Sequence, residues 1–286
     1  MTQSEAKAEA VKRVFILGMD GAGNFVQQAN TPHLDAWLPR GAFTYEAQAE
    51  LPTISAECWG SVLHGVRPDK HGLNNDKAAN EPYPADSPYP SLFRLIREQQ
   101  PDAKLASFTG WDPINSGIIE NNLGVYKVSL PDAELVPALL GYVEENPDVR
   151  LLFLQLDEPD GSGHRHGYGP DSPEYLKMIG TCDERIGMIL ARLEQLHLIE
   201  DSLIILLTDH GGGGAETHNH GSDHPMDRNV FWGCIGPGIK QGHLSSPVSI
   251  TDTARVTALA LGLATPAGWD AELPKDLLTR GTFSRA

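Results

Sequence analysis

Four stretches of this chain are nearly unbroken apolar runs, and acids, histidines or hydroxyls follow most of them within a few positions. They are residues 13–19 (RVFILGM), 104–108 (KLASF), 150–156 (RLLFLQL) and 202–207 (SLIILL). A strand that is apolar on both faces must be covered on both, the condition of a parallel sheet packed between helices. Helical spacing of apolar residues fills the intervals over Ser91–Gln99, Asp132–Glu145 and Ser172–Gln195, and a further helix is expected after Thr251. Alternation of the two patterns specifies an α/β fold: a doubly wound, largely parallel central sheet with helices on both faces. In such sheets ligands gather at the carboxyl ends of the strands, so residues far apart in sequence meet at one edge.

The 286 residues, 40% of them hydrophobic, suffice for one buried core, and neither a repeat nor a linker divides them. A single domain over residues 1–286 is therefore expected. A net charge of −16 repels phosphate backbones and excludes a broad nucleic-acid surface. Small anionic substrates remain compatible with it, because bound dications invert the local field. No run approaches the roughly 20 apolar residues that span a bilayer, and the polar lead Met1–Arg13 lacks an apolar signal core. A cytoplasmic protein with no membrane partner is the expectation. Cys58, Cys182 and Cys234 are odd in number and widely spaced, so reduced thiols are expected rather than disulfides or a thiolate metal site.

The chemistry lies in short segments at the ends of the runs. Asp20 closes the first, followed by Gly21-Ala22-Gly23; Gly18, Gly21 and Gly23 do not make a dinucleotide fingerprint. Asp160 and His164 flank Gly161-Ser162-Gly163, which reads as a flexible loop folding two side chains onto one ion, with His166 competing and Asp157 as an outer partner or strand-end cap. Asp209-His210 ends the last run before four glycines, and of His218, His220 and His224 the one in Asn219-His220-Gly221 is the best remaining ligand. Asp20, Asp160, His164, Asp209, His210 and His220 are thus six oxygen and nitrogen ligands without a thiolate, a set for two divalent ions, zinc before manganese. Thr53 and Ser55 offer hydroxyls. Ser55 precedes a helix over residues 56–63, where an N-cap and an activated nucleophile need nearly the same position. Residues Asn75–Pro90 read as a surface loop beside the site.

Assembled in this order, the segments resemble the alkaline phosphatase superfamily, and most closely its type I phosphodiesterase/nucleotide pyrophosphatase family. Thr31-Pro32-His33-Leu34-Asp35, Pro52-Thr53-Ile54-Ser55, residues 64–72 (HGVRPDKHG), Asn219-His220-Gly221 and Gly236-Pro237-Gly238 extend the similarity over most of the chain. The resemblance implies one metal on Asp160, His164 and His220, a second on Asp20, Asp209 and His210, and Ser55 as the nucleophile between them. It also implies hydrolysis of phosphodiester or nucleotide pyrophosphate bonds through a phosphoseryl enzyme, with a small phosphate ester or nucleotide as substrate. Monoester and phosphonate hydrolysis use the same site, and a catalytically impaired metal-binding protein is the non-enzyme alternative. Two departures stand out: Ser55, where the family usually has threonine, is followed by Ala56-Glu57-Cys58, and the substrate-binding asparagine position falls on Asp76 with Asn75 beside it. The sulfatase branch requires proline or alanine at the second position after the nucleophile and arginine at the fourth; Glu57 and Trp59 stand there. The spacing leaves no room for the extra domain of phosphomutases, so a near-minimal form of the fold is expected.

Overall fold

The computed structural model describes residues 11–279, so most of the polar lead Met1–Arg13 lies outside the described residues. Eight strands form one sheet: β1 (Arg13–Met19), β2 (Ala42–Gln48), β3 (Leu105–Thr109), β4 (Tyr126–Ser129), β5 (Leu151–Leu156), β6 (Ser202–Thr208), β7 (Asn229–Ile235) and β8 (Gly242–His243). Their order across the sheet is β4-β3-β5-β1-β6-β7-β2-β8. Pairing is parallel from β4 to β6, and β7 alone runs against its neighbours, so the largely parallel sheet expected from the sequence is present with one antiparallel return. The helices are α1 (Pro32–Trp37), α2 (Ser55–His64), α3 (Pro68–His71), α4 (Asn75–Asn80), α5 (Leu92–Gln99), α6 (Asp132–Glu145), α7 (Glu158–His166), α8 (Pro173–Gln195), α9 (Pro225–Arg228) and α10 (Asp252–Ala260). Among the described residues no helix is long and apolar enough to cross a membrane.

Each central strand is apolar on both faces because it feeds two cores. Val14, Ile16, Leu151, Phe153, Leu203 and Ile205 point into one layer with Trp59, Val62, Phe93 and Ala254 of α2, α5 and α10. Phe15, Leu17, Leu152, Leu154, Ile204 and Leu206 point into the other, with Leu139 of α6 and Ile179, Ile186 and Leu190 of α8. The strict alternation is the period-two geometry of a strand read on both sides. β2, β4 and β8 escape the sequence reading because they lie at or near the sheet edges, are short or half-exposed, and carry no continuous apolar run.

Two local expectations are corrected. Residues 158–166 form a helix rather than a glycine loop, so Asp160 and His164 share one face at i, i+4 spacing. Residues 75–90 begin with α4, capped by the Asn74 side chain, which accepts from Lys77 N at 2.8 Å; only residues 81–90 form a loop. Packing overrides the glycine content in the first case, and a side-chain cap nucleates a short helix in the second.

His71 ties α2 to the segment leading into α4. Its Nδ1 accepts from Leu73 N at 3.1 Å, while Nε2 lies 3.1 Å from Glu57 O and 3.2 Å from Ser61 Oγ of α2. Burial, reinforced by the neighbouring His64, lowers its pKa to about 3, so the ring is neutral in the folded chain. An unfolded histidine takes up a proton near pH 6.5, so this group's contribution is present above that pH and is lost as pH falls from about 6.5 towards 3. Acid titration of stability is expected to flatten in His71→Gln, the difference from wild type approaching at most about 1.4 kcal/mol per pH unit, the slope of one proton. Identical acid limbs would contradict it. Separately, Leu17→Ala in the fully buried centre of β1 is expected to cost about 2–5 kcal/mol in denaturant unfolding, and a loss below about 1 kcal/mol would refute tight packing there.

Candidate active site

The carboxyl ends of β1, β5 and β6 lie side by side, since β1 pairs with both β5 and β6. Asp20 follows β1, Asp209 and His210 follow β6, and the helix after β5 carries Asp160 and His164. His220 arrives on the loop that returns towards β7. Two groups of donor atoms, each within 4.8 Å of one another, result: Asp160, His164 and His220, and Asp20, Asp160 and His210. Asp209 Oδ2 lies 3.4 Å from His210 Nε2 and completes the convergence of all six residues expected from the sequence. Asp160 belongs to both groups, which spacing alone does not reveal.

The three imidazoles are oriented in the same way. His210 Nδ1 lies 2.8 Å from Gly211 O, His220 Nδ1 2.7 Å from Thr53 O, and His164 Nδ1 2.8 Å from His218 O. A backbone carbonyl only accepts, so each Nδ1 carries a proton; in His210 and His220 the Nε2 then turns an unprotonated face inward, while the Asp160 carboxylate beside His164 raises the pKa of that ring. Burial lowers the pKa of His210, and burial followed by the proximity of His210 lowers that of His220 to about 4, so both rings are neutral near pH 7.

The carboxylates are held by one oxygen and left open at the other. Asp20 Oδ2 accepts from Trp59 Nε1 at 2.7 Å and from Gln155 Nε2 at 2.9 Å, while Oδ1 is buried without a partner. Asp209 Oδ1 accepts from Gly21 N at 3.1 Å, and Oδ2 is likewise buried and unpartnered. Burial and then mutual repulsion with the neighbouring aspartates push Asp20 well above the usual carboxylate range; burial does the same to Asp209. For Asp160 burial acts in the same sense and is the largest single influence, but the groups around it, His164 first and then His210, His220 and the Tyr168 hydroxyl, together outweigh it and keep the carboxyl below that range. Buried carboxylate oxygens without donors, facing unprotonated imidazole nitrogens, fit divalent cations held by oxygen and nitrogen. Asp157 is the outer partner anticipated: Gln155 Nε2 bridges Asp20 Oδ2 and Asp157 Oδ1, the latter at 3.0 Å, and burial raises Asp157 to about 6.

Ser55 is the first residue of α2, with Ile54 in the cap position, so the expected capping role is corrected: the hydroxyl makes no cap bond. Instead Ser55 Oγ lies 3.2 Å from His210 Nε2, among the candidate ligand residues. Thr53 is occupied elsewhere, donating to Ser222 O at 2.9 Å and accepting from Gly221 N at 3.0 Å. Asn75 Oδ1 accepts from Ala56 N at 3.0 Å and so sits against the turn that carries Ser55. Asp76 is exposed and its carboxyl lies 3.3 Å from Asn80 Nδ2 on its own helix, so Asn75, not Asp76, faces α2. His166 is exposed and outside both donor groups, His218 pairs with the His164 backbone, and His224 caps α9 by accepting from Met226 N.

Four supporting residues escaped the sequence reading. Gln155 and Trp59 hold Asp20; Tyr168 donates to Asp160 Oδ1 at 2.6 Å; Asp227 is buried and accepts from Gly214 N and Ser222 N, joining the glycine loop to the His220 segment. Only Trp59 had a usable signal, its i+4 spacing from Ser55 on the expected helix.

Comparison with known proteins identifies the family and the fold. Residues 14–228 match the model of the family described as type I phosphodiesterase/nucleotide pyrophosphatase. Human ectonucleotide pyrophosphatase/phosphodiesterase family member 1 is 29% identical over 186 residues, 60% of this chain and 20% of that protein. Human bis(5'-adenosyl)-triphosphatase ENPP4 is 22% identical over 228 residues, 73% of this chain and 49% of that protein. The chain therefore spans about a fifth to a half of the curated relatives it matches. Among solved structures, murine ectonucleotide pyrophosphatase/phosphodiesterase 5, in an inactive form bound to AMP, superposes with a TM-score of 0.76 at 15% identity over 93% of this chain and all of that one. A 2-O GAG sulfatase reaches 0.73 at 15% identity, covering 93% of this chain and 73% of its own, a likeness of fold alone. With the family match running from the first strand of the sheet to the start of the seventh, this chain belongs to the type I phosphodiesterase/nucleotide pyrophosphatase family.

Proposed function

We propose that this chain is a metal-dependent hydrolase of phosphate esters, acting first on phosphodiester and nucleotide pyrophosphate bonds, with Ser55 as nucleophile. The observation that carries the reading is the placement of Ser55 Oγ, 3.2 Å from His210 Nε2, within the convergence of six ligand residues. Asp160, His164 and His220 would hold one divalent cation and Asp20, Asp209 and His210 a second, with Asp160 within reach of both groups. When bound, two zinc ions supply the positive charge that favours an ionised serine and polarises the phosphoryl oxygens.

The chain's own residues do the rest. The N-terminal turn of α2 directs its dipole at the Ser55 oxygen, favouring negative charge there. Attack forms the Ser55 Oγ–P bond and breaks the bond from phosphorus to the leaving oxygen; water then cleaves the phosphoserine. Asn75 spends its carbonyl on Ala56 N and keeps its amide N–H groups for a phosphoryl oxygen. A cleft of about 330 Å³ beside His220, lined by Ile54, Glu216, Asn219 and Ser222, gives the substrate's remaining group a place next to the ligands.

Treatment with a strong chelator is expected to abolish hydrolysis of a chromogenic phosphodiester, and zinc or manganese to restore it. Full turnover after verified metal removal would refute the metal requirement. Ser55→Ala is expected to lower kcat at least a thousandfold with circular dichroism and metal content unchanged. An active Ser55→Ala protein would remove serine from the role. Wild-type protein that binds zinc yet turns over no diester, monoester or phosphonate in a panel would favour the non-enzyme alternative.

A further inference from the structure

Tyr168 touches all three members of one ligand group. Its hydroxyl lies 2.6 Å from Asp160 Oδ1 and 3.2 Å from the Asp160 carbonyl. Its ring meets His164 edge-on at 5.5 Å between centroids and His220 edge-on at 6.0 Å. The ring is itself immobilised: it is 4% exposed, it packs edge-to-face on Tyr175, and its backbone N–H donates to Thr217 O at 2.9 Å. Two glycines of the ligand segments form its socket. A Cβ on Gly163 would stand 2.2 Å from Tyr168 Cε1, and one on Gly212 would stand 2.6 Å from Cδ1. The glycines that read as loop flexibility are therefore sites of close approach, one inside α7 and the other just after β6.

From these contacts we infer that Tyr168 is the positioning residue of the Asp160–His164–His220 group. The phenol fills one direction at Asp160 Oδ1, and the Oδ2 oxygen is left facing His164 Nε2 at 3.3 Å. The ring walls limit the rotation of both imidazoles. A residue that only filled space would need the ring; this role needs the hydroxyl as well, and the inference rests on the metallohydrolase reading of the site.

Zinc titration of the metal-stripped full chain, by calorimetry or against a chromogenic chelator, separates the two. In Tyr168→Phe the ring and its glycine socket remain, so circular dichroism and the apo melting temperature are expected to match wild type. The zinc dissociation constant of at least one site is expected to rise about 10–100-fold, as for loss of an outer-shell partner of a metal ligand. Raising zinc is expected to recover most of kcat with KM little changed. Gly163→Ala keeps the hydroxyl but displaces the ring, and the same loss of affinity is expected from it, which carries the test should the phenylalanine variant fold poorly. Wild-type zinc affinities in both variants would overturn the role of Tyr168 while leaving the metal centre standing. Failure of the wild-type chain to bind zinc would overturn the metal centre and this inference with it.

Discussion

Buried negative charge is the constraint around which this molecule is arranged. Asp20 and Asp209 are almost wholly shielded from solvent, each with one carboxylate oxygen lacking any donor, and Asp160 shares their neighbourhood. Two unit charges about 5 Å apart repel by roughly 3–4 kcal/mol at an effective dielectric near 20. Such a cluster marks a candidate functional site, and it persists only when the surroundings fix every group that could otherwise turn away. Trp59, Gln155, Gly21 and Tyr168 perform that fixing, one oxygen at a time.

The histidine tethers extend the same logic across the chain. His220 is anchored to the carbonyl of Thr53, two residues before Ser55, and His164 to the carbonyl of His218, two residues before His220. The ligand segments are therefore cross-tied to one another and to the start of α2. Ser55 cannot shift relative to His220 without breaking the Thr53 contacts to Ser222 and Gly221 as well. The indole of Trp59, one turn below Ser55, lies against β1, where a Cβ on Gly18 would be 2.4 Å from it, and so sets the distance between α2 and the strand that ends in Asp20. Position along α2 and position at the sheet edge are thus one coordinate.

The parallel sheet was legible in sequence because its strands are buried on both faces, and the continuous apolar runs at residues 13–19, 150–156 and 202–207 are too short for spanning helices and too apolar for any surface element. Three of the expected helices, 91–99, 132–145 and 172–195, lie where their periodicity placed them to within one residue. β2, β4 and β8 were not legible, since half-exposed strands near an edge have the composition of loops. The antiparallel β7 was missed because a short apolar run does not by itself distinguish strand from helix.

For the site, the sequence by itself determined which residue types could ligand a cation, because Asp20, Asp160, His164, Asp209, His210 and His220 stand at strand ends or just beyond them and occur in a recognisable order. Tertiary structure alone decided that Asp160 reaches both groups, that Asp160 and His164 share a helix face rather than a loop, and that Asn75 rather than Asp76 meets α2. It alone supplied Tyr168, Gln155 and Asp227 as the residues that hold the candidate ligand residues and their segments in place. The reason is physical: a ligand's identity is a property of its side chain, carried by one letter of sequence. Its orientation is set by hydrogen bonds to groups tens to hundreds of positions away, which exist only after the chain has closed on itself.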